Sequence, residues 1–179
     1  MKIINIIGMG KGRELAPKKG IRWGVSRVLN DMDVDVLFDI HSIKSIPDEV
    51  KESFFSRIKK AEKIGAIVYS VEKHDSPASF RYPLEDIIKE FGSDYFASSV
   101  DYALAFAIME RPDEINTYGI NHAMANKLEY YEQKPSSEYW IGMARGMGIR
   151  VNIHGGMSEL CKTKNRMLYG FNIRQKQYV

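Results

Sequence analysis

The sequence contains little cysteine. Its single cysteine, Cys161, cannot form a disulfide within the chain. No cysteines and histidines stand at the spacing of a zinc site, so the sequence gives no ground for requiring a metal, and no motif identifies a cofactor. Because a chain without disulfides suits a reducing compartment, we expect a cytoplasmic protein.

The sequence also lacks a long hydrophobic run. No segment approaches the roughly 20 apolar residues that span a bilayer. The apolar stretch in residues 1–8 is too short for a signal peptide. We therefore expect no membrane partner.

Positive charge is only slightly in excess. The chain has 26 basic and 23 acidic residues, a formal net charge of +3. This excess suits small anions but falls short of the basic surface of nucleic-acid-binding proteins, so nucleic acid is not a favoured partner.

Short apolar runs alternate with amphipathic segments along the 179 residues. This alternation predicts one α/β domain, a Rossmann-like three-layer sandwich in which helices cover both faces of a mostly parallel sheet. We assign residues 1–158 to the domain and 159–179 to a tail that packs on the domain or on a partner. The predicted strands lie in residues 1–7, 21–25, 34–41, 66–70, 114–120 and 149–153, and the predicted helices in 47–63, 83–91, 98–109 and 136–147.

Glycines alternate directly after the first strand, at Gly8, Gly10 and Gly12, with Lys11 in the same turn. Backbone amides in such a turn can close around a phosphate, and the lysine adds a cation. The spacing matches neither the dinucleotide motif nor the Walker motif. The alternative is a tight strand-to-helix turn that binds nothing.

Polar residues follow the third strand and begin the central helix. Asp39 is a candidate ribose or metal contact, or else a structural acceptor of backbone hydrogen bonds. Asp39 and His41 alternate along a strand, so they face opposite sides unless the strand has ended before His41. Ser98 and Ser99 begin a helix, where they can contact an anion, cap the helix, or do both.

The segment 118–140 combines polar side chains with several aromatics. Loops of this composition bind bases or sugars by stacking and hydrogen bonding, and Asn121 is the candidate ligand contact. The acid/base candidates are His122, Glu129 and Glu138, although Glu138 also fits the role of a helix-start acid. Tyr139 and Trp140 are interpreted as core or subunit contacts, which makes a homodimer a candidate assembly. No serine lies in a nucleophile elbow, so covalent catalysis is disfavoured.

On the evidence of three segments, residues 6–12, 98–109 and 113–121, the chain from residue 1 to about 158 resembles small Rossmann-like proteins of phage and prophage genomes. Within these three segments it is more distantly similar to bacterial sialyltransferases that use CMP-sialic acid and to pterin-pyrophosphokinase-like proteins. The sialyltransferase family has an asparagine after its second strand, where this chain has Val25 and Ser26. Its catalytic histidine corresponds here to Glu138 or has no counterpart. The resemblance implies that the nucleotide contacts are Gly8, Gly10, Gly12, Ser98 and Ser99.

Together these patterns predict a nucleotide or nucleotide-sugar as ligand. If the protein is an enzyme, the expected reaction is glycosyl or phosphoryl transfer. The alternative is a non-catalytic phage accessory protein in the bacterial host, which sequesters a nucleotide signal or binds a host protein.

Overall fold

Seven strands form one parallel sheet in the computed structural model, which describes residues 1–122, 129–155 and 158–176 except the side chains of Ser45, Glu129 and Tyr130. Every pairing between these strands is parallel, in the order β5-β4-β3-β2-β1-β6-β7. The strands are β1 Ile3–Ile7, β2 Ile21–Val25, β3 Val36–Phe38, β4 Ile67–Ser70, β5 Ser79–Arg81, β6 Glu114–Tyr118 and β7 Arg150–Ile153.

The strand order creates a crevice beside β1. The chain builds the sheet outward from β1 to β5 and then returns to place β6 on the other side of β1. The strand order therefore reverses at β1 and β6, and the carboxyl edge at such a reversal is where open α/β sheets bind ligands.

Helices cover both faces of the sheet, as predicted. Adjacent residues of β3 point to opposite faces, so Leu37 packs in one core with α1 and Phe38 in the other core with α2, α3 and α4. This α/β, Rossmann-like architecture confirms the predicted fold class. The helices are α1 Asp48–Ile64, α2 Leu84–Phe91, α3 Ser99–Met109 and α4 Lys134–Gly146.

Helix α3 is the central helix. It packs on β1, β2 and β3, and Leu104 and Ile108 are fully buried. Its sequence, SVDYALAFAIM, is apolar on nearly every side because neighbouring elements surround it. Its N terminus is thereby fixed at the carboxyl edge of the sheet.

Three element boundaries differ from the sequence predictions. The strand predicted for residues 34–41 is limited to β3. The predicted loop 71–82 contains β5, an edge strand of three residues that is too short to show periodicity. Helix α4 begins at Lys134 because Pro135 occupies its first turn, where a proline needs no amide hydrogen.

The segment after Ser158 begins by packing against the domain. Leu160 is buried in the core with α3 and α4. The backbone N–H of Cys161 donates to the Glu138 carboxylate on α4. Among the helices that the structure describes, none is long and apolar enough to cross a membrane.

Candidate functional site

A cleft of about 900 Å³ lies at the carboxyl edge, beside the ends of β1 and β6. It joins the turns that follow β1, β2, β3 and β6 to the start of α3. Its lining includes seven predicted site residues: Gly8, Gly10, Lys11, Ser98, Ser99, Asn121 and His122. Gly12, Asp39 and Glu138 are not part of this lining.

A second cavity, of about 860 Å³, lies at the β7 edge of the sheet, between β7 and the C-terminal segment. Its lining contains none of the predicted site residues. The cleft beside β1 and β6 is therefore the candidate functional site.

The glycines after β1 hold that turn against the turn after β6. Gly8 N–H donates to Tyr118 O at 2.8 Å, and Gly10 N–H donates to Gly119 O at 2.7 Å. A Cβ atom on Gly8 would lie 2.6 Å from Gly119 O. These two amides are therefore engaged within the protein, and the glycines are needed for the close approach of the two turns.

The third glycine has a different partner. Gly12 has a φ of +94°, and its N–H lies 3.0 and 3.2 Å from the two carboxylate oxygens of Glu14. The chain then makes only a 3₁₀ turn at Arg13–Leu15. No long helix follows this glycine turn, so its electrostatic contribution to anion binding is small compared with that of α3.

The N terminus of α3 supplies a buried acceptor and an unpartnered hydroxyl. Asp101 Oδ2 accepts from the backbone N–H groups of Ala97 and Ser98, each at 2.8 Å, and the Asp101 N–H donates to the Ser98 carbonyl oxygen at 3.0 Å. Ser98 Oγ makes no side-chain cap bond and is buried without a hydrogen-bond partner among the described residues. Ser98 lines the cleft, so this hydroxyl is a candidate ligand contact.

Asn121 contributes a second unpartnered atom. Its Nδ2 donates to Lys11 O at 3.0 Å, which ties the β6 turn to the β1 turn. Its Oδ1 is buried and has no partner in the part of the chain that the structure describes. The side chain therefore fixes the cleft wall, and its Oδ1 is a candidate ligand contact.

Of the three acid/base candidates His122, Glu129 and Glu138, only His122 has a described side chain that lines the cleft. Its Nε2 lies 3.0 Å from Ser137 Oγ, and Ser137 Oγ donates to Asp101 Oδ1. Burial lowers the pKa of His122 to about 4, and the nearby Lys134 cation adds to this shift. The imidazole is therefore neutral at pH 7 and able to accept a proton.

Two cations lie at the mouth of the cleft. Lys11 and Arg27 are exposed, and neither forms an ion pair with another described residue. Across residues 1–122, 129–155 and 158–176, no group of three or more His, Cys, Asp or Glu residues is arranged to hold a metal ion. The positive charge at this mouth suits an anionic ligand.

Asp39 lies outside the cleft lining. Because β3 ends at Phe38, Asp39 and His41 can approach each other, with His41 Nδ1 2.6 Å from Asp39 Oδ1. The other carboxylate oxygen lies 2.6 Å from the Arg57 guanidinium, and both side chains of that ion pair are buried. This pairing favours the structural interpretation of Asp39, while His41 reaches the cleft.

Of the two acidic candidates, Glu138 is described and does not line the cleft. Glu138 Oε1 lies 2.6 Å from Lys134 Nζ one turn earlier on α4, and the same oxygen accepts the Cys161 N–H. Glu138 therefore connects α4 to the C-terminal segment. The side chain of Glu129 lies outside the described residues.

Sequence reasoning missed several lining residues. Ser26 has a φ of +56°, a conformation in which a residue other than glycine or asparagine is uncommon, so its identity gives no signal of the turn. Arg27 follows it. Phe96 and Tyr102 stack with ring centroids 4.5 Å apart, although they are separated in sequence by the start of α3. Gln133, in the predicted polar segment 118–140, also lines the cleft.

Comparisons with known proteins place the chain by fold only. No family model matches it, and no curated protein matches it at a significant level. Among solved structures, it is similar to the sialyltransferase CstII from Campylobacter jejuni in complex with a substrate analogue, cytidine-5′-monophosphate. The TM-score is 0.53 at 12% identity, over 98% of this chain and 87% of that one. This likeness agrees with the Rossmann-like fold.

Proposed function

We propose that the protein binds a nucleotide or nucleotide-sugar in the cleft beside β1 and β6. One observation carries this proposal. Ser98 Oγ and Asn121 Oδ1 are both buried at the cleft, and neither has a hydrogen-bond partner among the described residues. Because burying a polar atom without a partner is unfavourable, a ligand that pairs with both atoms is favoured.

The charges at the mouth support a phosphate as the anionic group. In the proposed complex, the phosphate lies near Lys11, Arg27 and the start of α3, where the helix N terminus favours negative charge. Gly8 and Gly10 then shape the wall of the site, since their amides already have acceptors within the protein. A cavity of about 900 Å³ is of the size that small-molecule sites have.

The proposed reaction is transfer of a glycosyl or phosphoryl group from the nucleotide to a hydroxyl. The hydroxyl gives its proton to neutral His122 as its oxygen forms the new bond, and the bond to the nucleotide leaving group breaks. The solved structure with the similar fold is a sialyltransferase holding cytidine-5′-monophosphate (CMP), which makes CMP the first ligand to test.

The second candidate function is binding without turnover, as in a phage accessory protein that sequesters a nucleotide signal or binds a host protein. The position of Glu138 favours it, because this carboxylate is committed to Lys134 and the C-terminal segment. Overnight incubation with a CMP- or UDP-sugar, followed by product analysis, separates the two functions. A phage source, a cytoplasmic location and a homodimer stay predictions from the sequence.

A thermal-shift screen of CMP, UMP, AMP, GMP and the CMP- and UDP-sugars tests the binding proposal. A ligand present at 100 times its Kd stabilises the folded protein by about 2.7 kcal/mol, which raises the melting temperature by several degrees. We expect at least one nucleotide to do so. Absence of any stabilisation at millimolar concentrations would contradict the proposal.

A further inference from the structure

A chain of hydrogen bonds leads from the core to the cleft. Asp101 on α3 is bonded to Ser136 and Ser137 on α4, and Ser137 is bonded to His122 after β6. Asp101 and both serines are fully buried, and His122 is 7% exposed. The network therefore connects two helices to the one described acid/base candidate on the cleft.

Counting donors assigns the proton positions. The Asp101 carboxylate accepts from the N–H groups of Ala97 and Ser98 and from the hydroxyl of Ser137. The Ser136 hydroxyl lies 2.8 Å from Asp101 Oδ2 and 3.0 Å from Tyr95 O, so its one proton is shared between these two acceptors. An ionised carboxylate only accepts, so each of these contacts places the proton on the partner of Asp101. They oppose the effect of burial, which raises the pKa of Asp101.

A serine hydroxyl has one proton to donate. Because Ser137 donates its proton to Asp101, its oxygen must accept the remaining hydrogen bond, and His122 must be the donor through Nε2–H. A neutral imidazole carries one ring proton, so Nδ1 holds a lone pair. Nδ1 has no hydrogen-bond partner among the residues that the structure describes.

We propose that Asp101 and Ser137 are positioning residues that fix His122 as the Nε2–H tautomer, so that Nδ1 presents its lone pair to the cleft. This inference rests on the cleft being the ligand site and specifies how that site handles a proton. A ligand atom that meets Nδ1 must carry a hydrogen, as a hydroxyl does. When Nδ1 takes that proton, Nε2–H remains bonded to Ser137.

The chain offers a matched pair of variants. Ser136 and Ser137 are adjacent, fully buried, and both bonded to Asp101, but only Ser137 contacts His122. Ser136→Ala and Ser137→Ala each remove one hydroxyl from the same carboxylate. If the network had only a structural role, the two variants would change the His122 tautomer to a similar extent.

Nitrogen NMR of the imidazole rings in the full-length protein at pH 7 tests the inference. A His122→Gln variant identifies the His122 signals. We expect the Nε2–H tautomer in the wild type and in Ser136→Ala, a mixture of tautomers in Ser137→Ala, and recovery in Ser137→Thr. Because the wild-type spectrum alone reports the tautomer, a variant that fails to fold does not remove the test.

An Nδ1–H tautomer or an imidazolium in the wild type at pH 7 would overturn the inference, as would a Ser137→Ala spectrum identical to that of Ser136→Ala. The measurement needs no ligand. A failure of CMP and the other nucleotides to bind would therefore contradict the proposed function and leave the tautomer assignment intact.

Discussion

Acid should destabilise the folded protein through His122. The folded-state pKa of this histidine is about 4, below its ordinary value of 6.5, because the ring is buried and Lys134 lies nearby. Below pH 6.5 the unfolded chain binds a proton that the folded protein does not, so stability falls as the pH falls towards 4. These two pKa values give a loss of about 2 kcal/mol between pH 7 and pH 5, and about 3 kcal/mol in all.

Urea denaturation of the wild type and His122→Gln at pH 7 and pH 5 measures this effect. We expect the wild type to lose about 2 kcal/mol more than the variant over this interval. Burial raises the pKa of Asp101, so this residue changes the pH dependence of stability in the opposite direction. Asp101 is present in both proteins, so its effect largely cancels when the two stability losses are compared. Equal losses in the two proteins would refute a buried, neutral His122.

Three further predictions concern stability and binding. Arg57→Met leaves the buried carboxylate of Asp39 without the Arg57 cation, and it should lower the unfolding free energy measured in urea titrations by about 3–5 kcal/mol. The double variant Asp39→Leu/Arg57→Met removes the charge as well, so it should lower the unfolding free energy by less. Gly10→Ala puts a Cβ 2.5 Å from Asn121 Nδ2 in the turn after β6, and it should lower the free energy of unfolding by about 1–3 kcal/mol. The control Gly142→Ala, in open space on α4, should leave the unfolding free energy measured by calorimetry unchanged or raise it. Ser98→Ala should change stability by less than about 0.5 kcal/mol, because its hydroxyl makes no cap bond, but should weaken nucleotide binding about tenfold in titration calorimetry.

The sequence was sufficient to predict the architecture and the members of the cleft that follow strands. Strand ends fall at one edge of a parallel sheet, so the positions of Gly8 after β1 and Asn121 after β6 could be combined without coordinates. The sequence did not predict β5, because a strand of three residues is too short to show alternation of polar and apolar side chains. Arg27 was missed because nothing in its neighbourhood marks the turn after β2 as part of the cleft.

Side-chain partners could not be predicted. The sequence predicts Glu138 as an acid/base candidate, but its Oε1 is bonded to Lys134 and to the backbone N–H of Cys161 in the C-terminal segment. Asp39 is paired with Arg57, which lies 18 residues away on α1. Such contacts depend on how helices pack on the sheet, and local sequence patterns do not report that packing.

Titration calorimetry with CMP tests the central claim, that a nucleotide binds in the cleft beside β1 and β6. Lys11→Gln and Lys19→Gln each remove one positive charge from an exposed lysine, but only Lys11 lines the cleft. We predict saturable CMP binding to the wild type and to Lys19→Gln, and about fivefold to tenfold weaker binding to Lys11→Gln. Equal affinities in the two variants, or no saturable binding to the wild type, would contradict the account.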